Sequence, residues 1–127
     1  FTKEQLLEKL PKRLPRSKDF GDLTLENIIY GENGQFNLLD GMTSEYDSYI
    51  FDIAKLRQDL ECKWFLRDTN LLLDVKVENI QDKLLERFEL ANNNYLLILM
   101  LLRVYRYTKP FSKEEALLVK EMNRLWK

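Results

Sequence analysis

The chain of 127 residues contains no histidine. That absence excludes a Ser-His-Asp or Cys-His catalytic system built within it. There is one cysteine, Cys62, so no intrachain disulfide can form, and one cysteine without histidine argues against a zinc site. A reducing, cytoplasmic setting is expected. Cys62 itself reads as a small buried apolar residue in a helix, since nothing of the histidine type is present to activate it. Long apolar runs are also lacking. The longest, Tyr95 to Leu102, covers eight residues. A bilayer span needs about 20. This stretch is expected to be a buried core helix, and no membrane partner is expected. Nor is there a charge excess of either sign. Lys and Arg number 20 against 21 Asp and Glu, a formal net charge of -1. No nucleic-acid partner is therefore expected. Any chemistry must come from carboxylates, amides, Lys, Arg, Tyr or backbone groups, which favours carboxylate-and-magnesium chemistry.

Of the residues, 45% are hydrophobic and 32% charged, the balance of an ordinary folded domain. Thr2 with Gln5 reads as a capping box for a short helix to Leu10, with Leu6, Leu7 and Leu10 as its apolar stripe. Ser17 to Asn27 has neither helical nor strand period and is expected to be a loop. Ile28 to Tyr30 and Phe36 to Leu39 read as two strands around Gly31-Glu32-Asn33-Gly34, where Asn-Gly signals a hairpin. From Ser48 the spacing is helical. Tyr49, Ile50, Ile53, Ala54, Leu56, Leu60 and Phe65 follow one pattern. A break is expected between Asp68 and Asp74. Helices follow over Val77 to Leu90 and Asn94 to Tyr107, with a bend at Asn92-Asn93-Asn94. Ser112-Lys113-Glu114-Glu115 reads as the capping box of a last helix to Trp126. The fold class is mainly α with a small β-hairpin, and the hairpin is expected to lie on the helices, since two strands alone are marginal in water. Trp64, Trp126, Tyr105 and Tyr107 read as packing residues; Arg103 and Arg106 sit beside the core and can face a substrate cleft, although such residues are more often solvated or paired with carboxylates.

Three oxygen-bearing side chains stand out. Asp22 lies in the loop, Asn27 ends it, and Asp40-Gly41 follows the hairpin. A tight hairpin returns the chain to where it started, so it would bring Asp40 beside Asn27. Phosphoryl transfer needs a carboxylate to orient the attacking hydroxyl and oxygen ligands for magnesium. Asp22 followed by four residues and Asn27 resembles the protein-kinase catalytic loop, H-R-D-x-x-x-x-N, and Asp40 with its glycine resembles the metal-binding D-x-G element. The wording Gly21-Asp22-Leu23-Thr24-Leu25-Glu26-Asn27-Ile28-Ile29-Tyr30 is more similar still to the aminoglycoside phosphotransferase and choline kinase group, which reads H-G-D-x-x-x-x-N-I-L, a hairpin, then I-D. Asp52-Ile53-Ala54-Lys55-Leu56 resembles the D-x-A-K-L stretch of many bacterial members.

The resemblance is specific over Phe20 to Leu60. It implies the C-lobe of a protein-kinase-like fold spanning residues 1–127, with the catalytic loop and metal-binding hairpin at 20–41 and a helical part at 48–127. It implies Asp22 as catalytic base or hydroxyl-positioning carboxylate, Asn27 and Asp40 as ligands of Mg2+ and the nucleotide phosphates, and Asp52 as support for the loop. The implied reaction is phosphoryl transfer from ATP (or GTP) to a hydroxyl of a small-molecule acceptor, sugar-like or an amino-alcohol. Two departures are plain. Phe20 stands where the family has histidine, and no Gly-rich loop or strand lysine precedes it. The expectation is a chain lacking the N-terminal nucleotide lobe and inactive alone. Two other readings stand beside this one: a catalytically silent kinase-like binding module, and a helical interaction domain in which Asp22, Asn27 and Asp40 lie far apart.

Overall fold

Short polar side chains start the helices. Thr2 accepts the Gln5 amide while the Gln5 side chain accepts the Thr2 amide, a complete capping box for α1 (Lys3–Lys9). Ser48 caps α2 (Tyr49–Leu60), Asn93 caps α4 (Asn94–Tyr105) and Ser112 caps α5 (Lys113–Leu125). Between them runs α3 (Asp74–Arg87). Two antiparallel strands, β1 (Ile28–Tyr30) and β2 (Phe36–Leu38), pair Ile28 with Leu38 and Tyr30 with Phe36. This computed structural model describes residues 1–39, 41, 47–68 and 74–127, with backbone alone at 74 and 75. The described residues are mainly helical with one small two-stranded sheet.

The core is organised by α4, which is apolar on most of its circumference and buried on two sides. One face places Leu97, Ile98 and Leu101 against Leu118, Met122 and Leu125 of α5, with Leu6 and Cys62. The other places Leu96 and Met100 against Ile50, Ile53 and Ala54 of α2, with Ala91. The apolar run Tyr95 to Leu102 is the central helix of the core, and no helix among the described residues is long and apolar enough to cross a membrane.

Several local expectations change. The α2 helix stops at Leu60, short of Phe65, because Lys63 adopts a left-handed conformation (φ 55°) that α-helix cannot continue through. Cys62 is buried but lies just past the helix, and burial pushes its thiol up to about 12. In α1 only Leu6 is buried, while Leu7 faces solvent. At α5 only half the capping box forms: Ser112 accepts the Glu115 amide, but the Glu115 carboxylate accepts the Phe111 amide instead. The hairpin connection is longer than an Asn-Gly two-residue turn. Gly31 and Gln35 are joined by a backbone bond of 2.7 Å, and Gly34 takes the left-handed position (φ 77°). Nor do the helices cover the hairpin. Ile29, Tyr30, Phe36 and Leu38 are all exposed, and the hairpin is attached at its base, where the Leu39 amide donates to the Asn27 carbonyl at 2.8 Å. The expected break at 68–74 lies largely outside the described residues.

Candidate active site

The loop before the hairpin is held by a polar stripe on α2. Asp52, Lys55 and Asp59 recur at i, i+3 and i+7, so they share one helical face. All three are buried. Each meets a successive part of the loop. The Asp52 carboxylate accepts the Phe20 amide at 2.8 Å and the Gly21 amide at 3.0 Å. The Lys55 ammonium lies 3.8 Å from the Asp22 carboxylate. The Asp59 carboxylate accepts the Leu25 amide at 2.7 Å. The carbonyl side of the loop is held as well, by the Arg103 guanidinium donating to the Gly21 oxygen at 3.3 Å. Gly21 has φ 94°, a conformation costly for any residue with a Cβ, and this bend lets its two polar groups serve Asp52 and Arg103.

Asp22 and Asn27 come together. The Asn27 side-chain amide donates to the Asp22 carbonyl at 3.0 Å and approaches its carboxylate at 3.4 Å. Those contacts use the Asn27 nitrogen. Its amide oxygen is the atom they leave for a hard cation, so the residue suits magnesium. Asp40 lies outside the described residues, but its neighbours are both attached to this loop. Leu39 bonds Asn27. At Gly41 a Cβ would sit 2.9 Å from Phe20 Cε2, so the glycine lets the chain pass close against that ring. Phe20 thus packs against the backbone at Gly41. Among the described residues, no group of three or more His, Cys, Asp or Glu side chains is arranged to hold a metal.

Two clefts meet at Asp22 and Lys55. The first, about 200 Å³, adds Thr24, Glu26, Asn27, Gln58, Asp59, Trp64 and Val104. Its ionisable groups are mostly carboxylates. The second, about 220 Å³, adds Arg103, Val104, Arg106 and Tyr107. Burial pushes the Lys55 ammonium below its ordinary value, opposed by the Asp22 carboxylate beside it, and Lys55 donates to Gln58 at 3.1 Å. Burial pushes the Asp59 carboxyl up, against the bond from Leu25. Tyr107 is 74% exposed, so it is a cleft-rim residue and not the packing residue its aromatic ring suggests. Trp126 does pack, stacked on Phe1 and edge-on to Tyr95.

Lys55 falls in the stretch Asp52-Ile53-Ala54-Lys55-Leu56, whereas Gln58 and Asp59 belong to no motif. A signal for Asp59 was the charged stripe 52-55-59 on a helix whose Ile50, Ile53 and Ala54 pack the core. Comparison with protein-family models, with curated proteins and with solved structures finds no match for this chain.

Proposed function

We propose that the chain is the metal- and acceptor-side lobe of a magnesium-dependent phosphotransferase that moves a phosphoryl group from ATP (or GTP) to a hydroxyl of a small molecule. One observation carries the reading. A loop bearing Asp22 is anchored through two backbone amides by a buried carboxylate of the following helix, with Asn27 fixed against Asp22 at the hairpin base. In this reading Asp22 orients the acceptor hydroxyl and receives its proton as the oxygen attacks phosphorus. Lys55 holds the Asp22 carboxylate by charge. Asp52 acts on Asp22 only through the loop and is a positioning residue. Asn27 and Asp40 would hold magnesium, which supplies charge neutralisation on the nucleotide phosphates. A lobe outside this chain would supply the lysine and the pocket for the base. The apolar hairpin left exposed beside Asn27 offers it a docking surface.

The test is transfer by the full-length protein with magnesium, ATP or GTP, and a panel of hydroxyl compounds. Asp22→Ala should lower turnover about 10²–10⁴-fold, the range for loss of a general base. Undiminished transfer by that variant would remove Asp22 from the mechanism. A wild-type protein that binds no nucleotide would favour the silent binding module.

A further inference from the structure

Two carboxylates of α2 hold the loop, and they hold different parts of it. Asp52 takes the Phe20 and Gly21 amides, directly before Asp22. Asp59 takes the Leu25 amide at 2.7 Å, two residues before Asn27. The two carboxylates stand at i and i+7 of the helix, which separates them by about 10.5 Å along its axis. The loop covers the same interval from Gly21 to Leu25, a stretch of chain that reaches at most about 14 Å. A backbone bond from the Thr24 amide to the Asp22 carbonyl at 3.0 Å takes up part of that reach. Little slack is left between the two anchored points.

The second anchor sets more than the path of the loop. Leu25 opens a single 3-10 turn, Leu25–Asn27. So short a turn has little stability of its own. Among the described residues, no side-chain bond from Thr24 caps it. Asp59 takes that role from another helix, because its carboxylate accepts the first amide of the turn. The turn closes with the Asn27 amide donating to the Thr24 carbonyl at 3.1 Å. From there the Asn27 side chain reaches back to Asp22. Arg67 also touches the turn, 3.5 Å from Glu26, but Glu26 is exposed and such pairs contribute little. Asp59 is 1% exposed, so water competes little for its bond.

Resting on the phosphotransferase reading, we propose that Asp59 is the positioning residue of the metal side: through Leu25 it sets the turn that presents Asn27, while Asp52 sets the stretch that presents Asp22. The two carboxylates then act on different quantities. Asp52 serves alignment of the acceptor hydroxyl. Asp59 serves affinity for the hard cation that Asn27 would help to hold. Changes at the two positions are therefore separable, although both stand on one helical face.

The test compares Asp59→Ala, Asp59→Asn and Asp52→Ala in the full-length protein. In Asp59→Ala, amide hydrogen exchange should rise at least about tenfold at Leu25 and Asn27 and less than about threefold at Phe20 and Gly21. Asp52→Ala should give the reverse pattern. Asp59→Asn keeps an acceptor for Leu25 and should stay within about threefold of wild type at all four amides. Mn2+ binding in the presence of ADP, read by electron paramagnetic resonance, should weaken at least about tenfold in Asp59→Ala and return towards wild type in Asp59→Asn. Asp59→Val fills the space without supplying an acceptor, and it replaces Asp59→Ala in both measurements if that variant does not fold. Equal rises at all four amides would reduce the two carboxylates to one shared structural role and overturn the proposal. So would undiminished Mn2+ binding once the Asp59 acceptor is gone. Neither measurement needs turnover. Their failure in a protein that still transfers phosphoryl groups sinks this inference alone. The expected pattern in a protein that transfers to no hydroxyl sinks the phosphotransferase reading and leaves Asp59 as the residue that positions Asn27.

Discussion

Asp52→Ala removes the one acceptor shared by the Phe20 and Gly21 amides. Both bonds are charge-assisted, at 2.8 Å and 3.0 Å, and Asp52 is only 8% exposed, so solvent screens them little. Hydrogen bonds to charged groups contribute about 1.5–3 kcal/mol each. The two share one side chain, and a freed loop can rehydrate its amides, so the values do not simply add. A loss of about 3 kcal/mol is expected, which at this chain length lowers the melting temperature by on the order of 10 °C. Asp52→Asn keeps one oxygen but points an NH2 group at the other amide. It should fall between, at about 2 kcal/mol. Urea unfolding gives the free energies, and hydrogen exchange locates the effect, which should appear first at Phe20 and Gly21. In the full-length protein, transfer should drop about 10²-fold as Asp22 loses its position. An Asp52→Ala chain within 1 kcal/mol of wild type, with unchanged exchange at both amides, would refute the anchoring role.

Arg57 is 2% exposed and donates to the Ala91 carbonyl at 3.2 Å, to Asn94 at 3.0 Å and to Glu61, joining α2 to the start of α4. Arg57→Met should cost about 3 kcal/mol in urea unfolding, near the low end for breaking a buried pair, because Arg124 at 3.3 Å still faces Glu61; an unchanged midpoint would show that packing alone joins these helices. Asp59→Asn should keep an acceptor for Leu25 and remove a charge that burial disfavours. The raised carboxyl means that the folded state holds the extra proton between the folded value and the ordinary 3.8. Wild type should therefore gain stability relative to Asp59→Asn as pH falls through that window, and a gap moving the other way would contradict the burial account.

Local signals were readable in the sequence where the structure uses local physics. Thr2 with Gln5, and Ser112 with Glu115, mark helix starts because capping needs only residues a turn apart. Asn33-Gly34 marks the hairpin, although the connection runs to Gln35. The span of α4 follows from the apolar run at Tyr95 to Leu102. Other features depend on partners far along the chain. Asp52 meets amides more than 30 residues away, and only the likeness of Asp52-Ile53-Ala54-Lys55-Leu56 to a D-x-A-K-L stretch pointed to it. Lys63 in the left-handed region stops α2 with no glycine or proline to announce it. Tyr107 reads as a core aromatic by composition, yet it rims a cleft because α4 ends at Tyr105.

The strongest link from sequence to function lies on α2. A helix that only packed would stabilise the core better with apolar residues at 52, 55 and 59, since each buried charge carries a desolvation cost of several kcal/mol. Instead Asp52, Lys55 and Asp59 face the loop, and in order they meet Phe20 with Gly21, then Asp22, then Leu25. Two of the three contacts are to backbone amides, which constrains where the loop runs whatever side chains it carries. The third is to the Asp22 carboxylate, the group assigned to direct a hydroxyl. An arrangement that spends burial on charge to fix one loop, and places its single cation beside that loop's acid, fits positioning of Asp22 better than it fits stability. Glu26, Asn27 and Asp59 line one cleft beside Asp22, and Arg103 and Arg106 line the other.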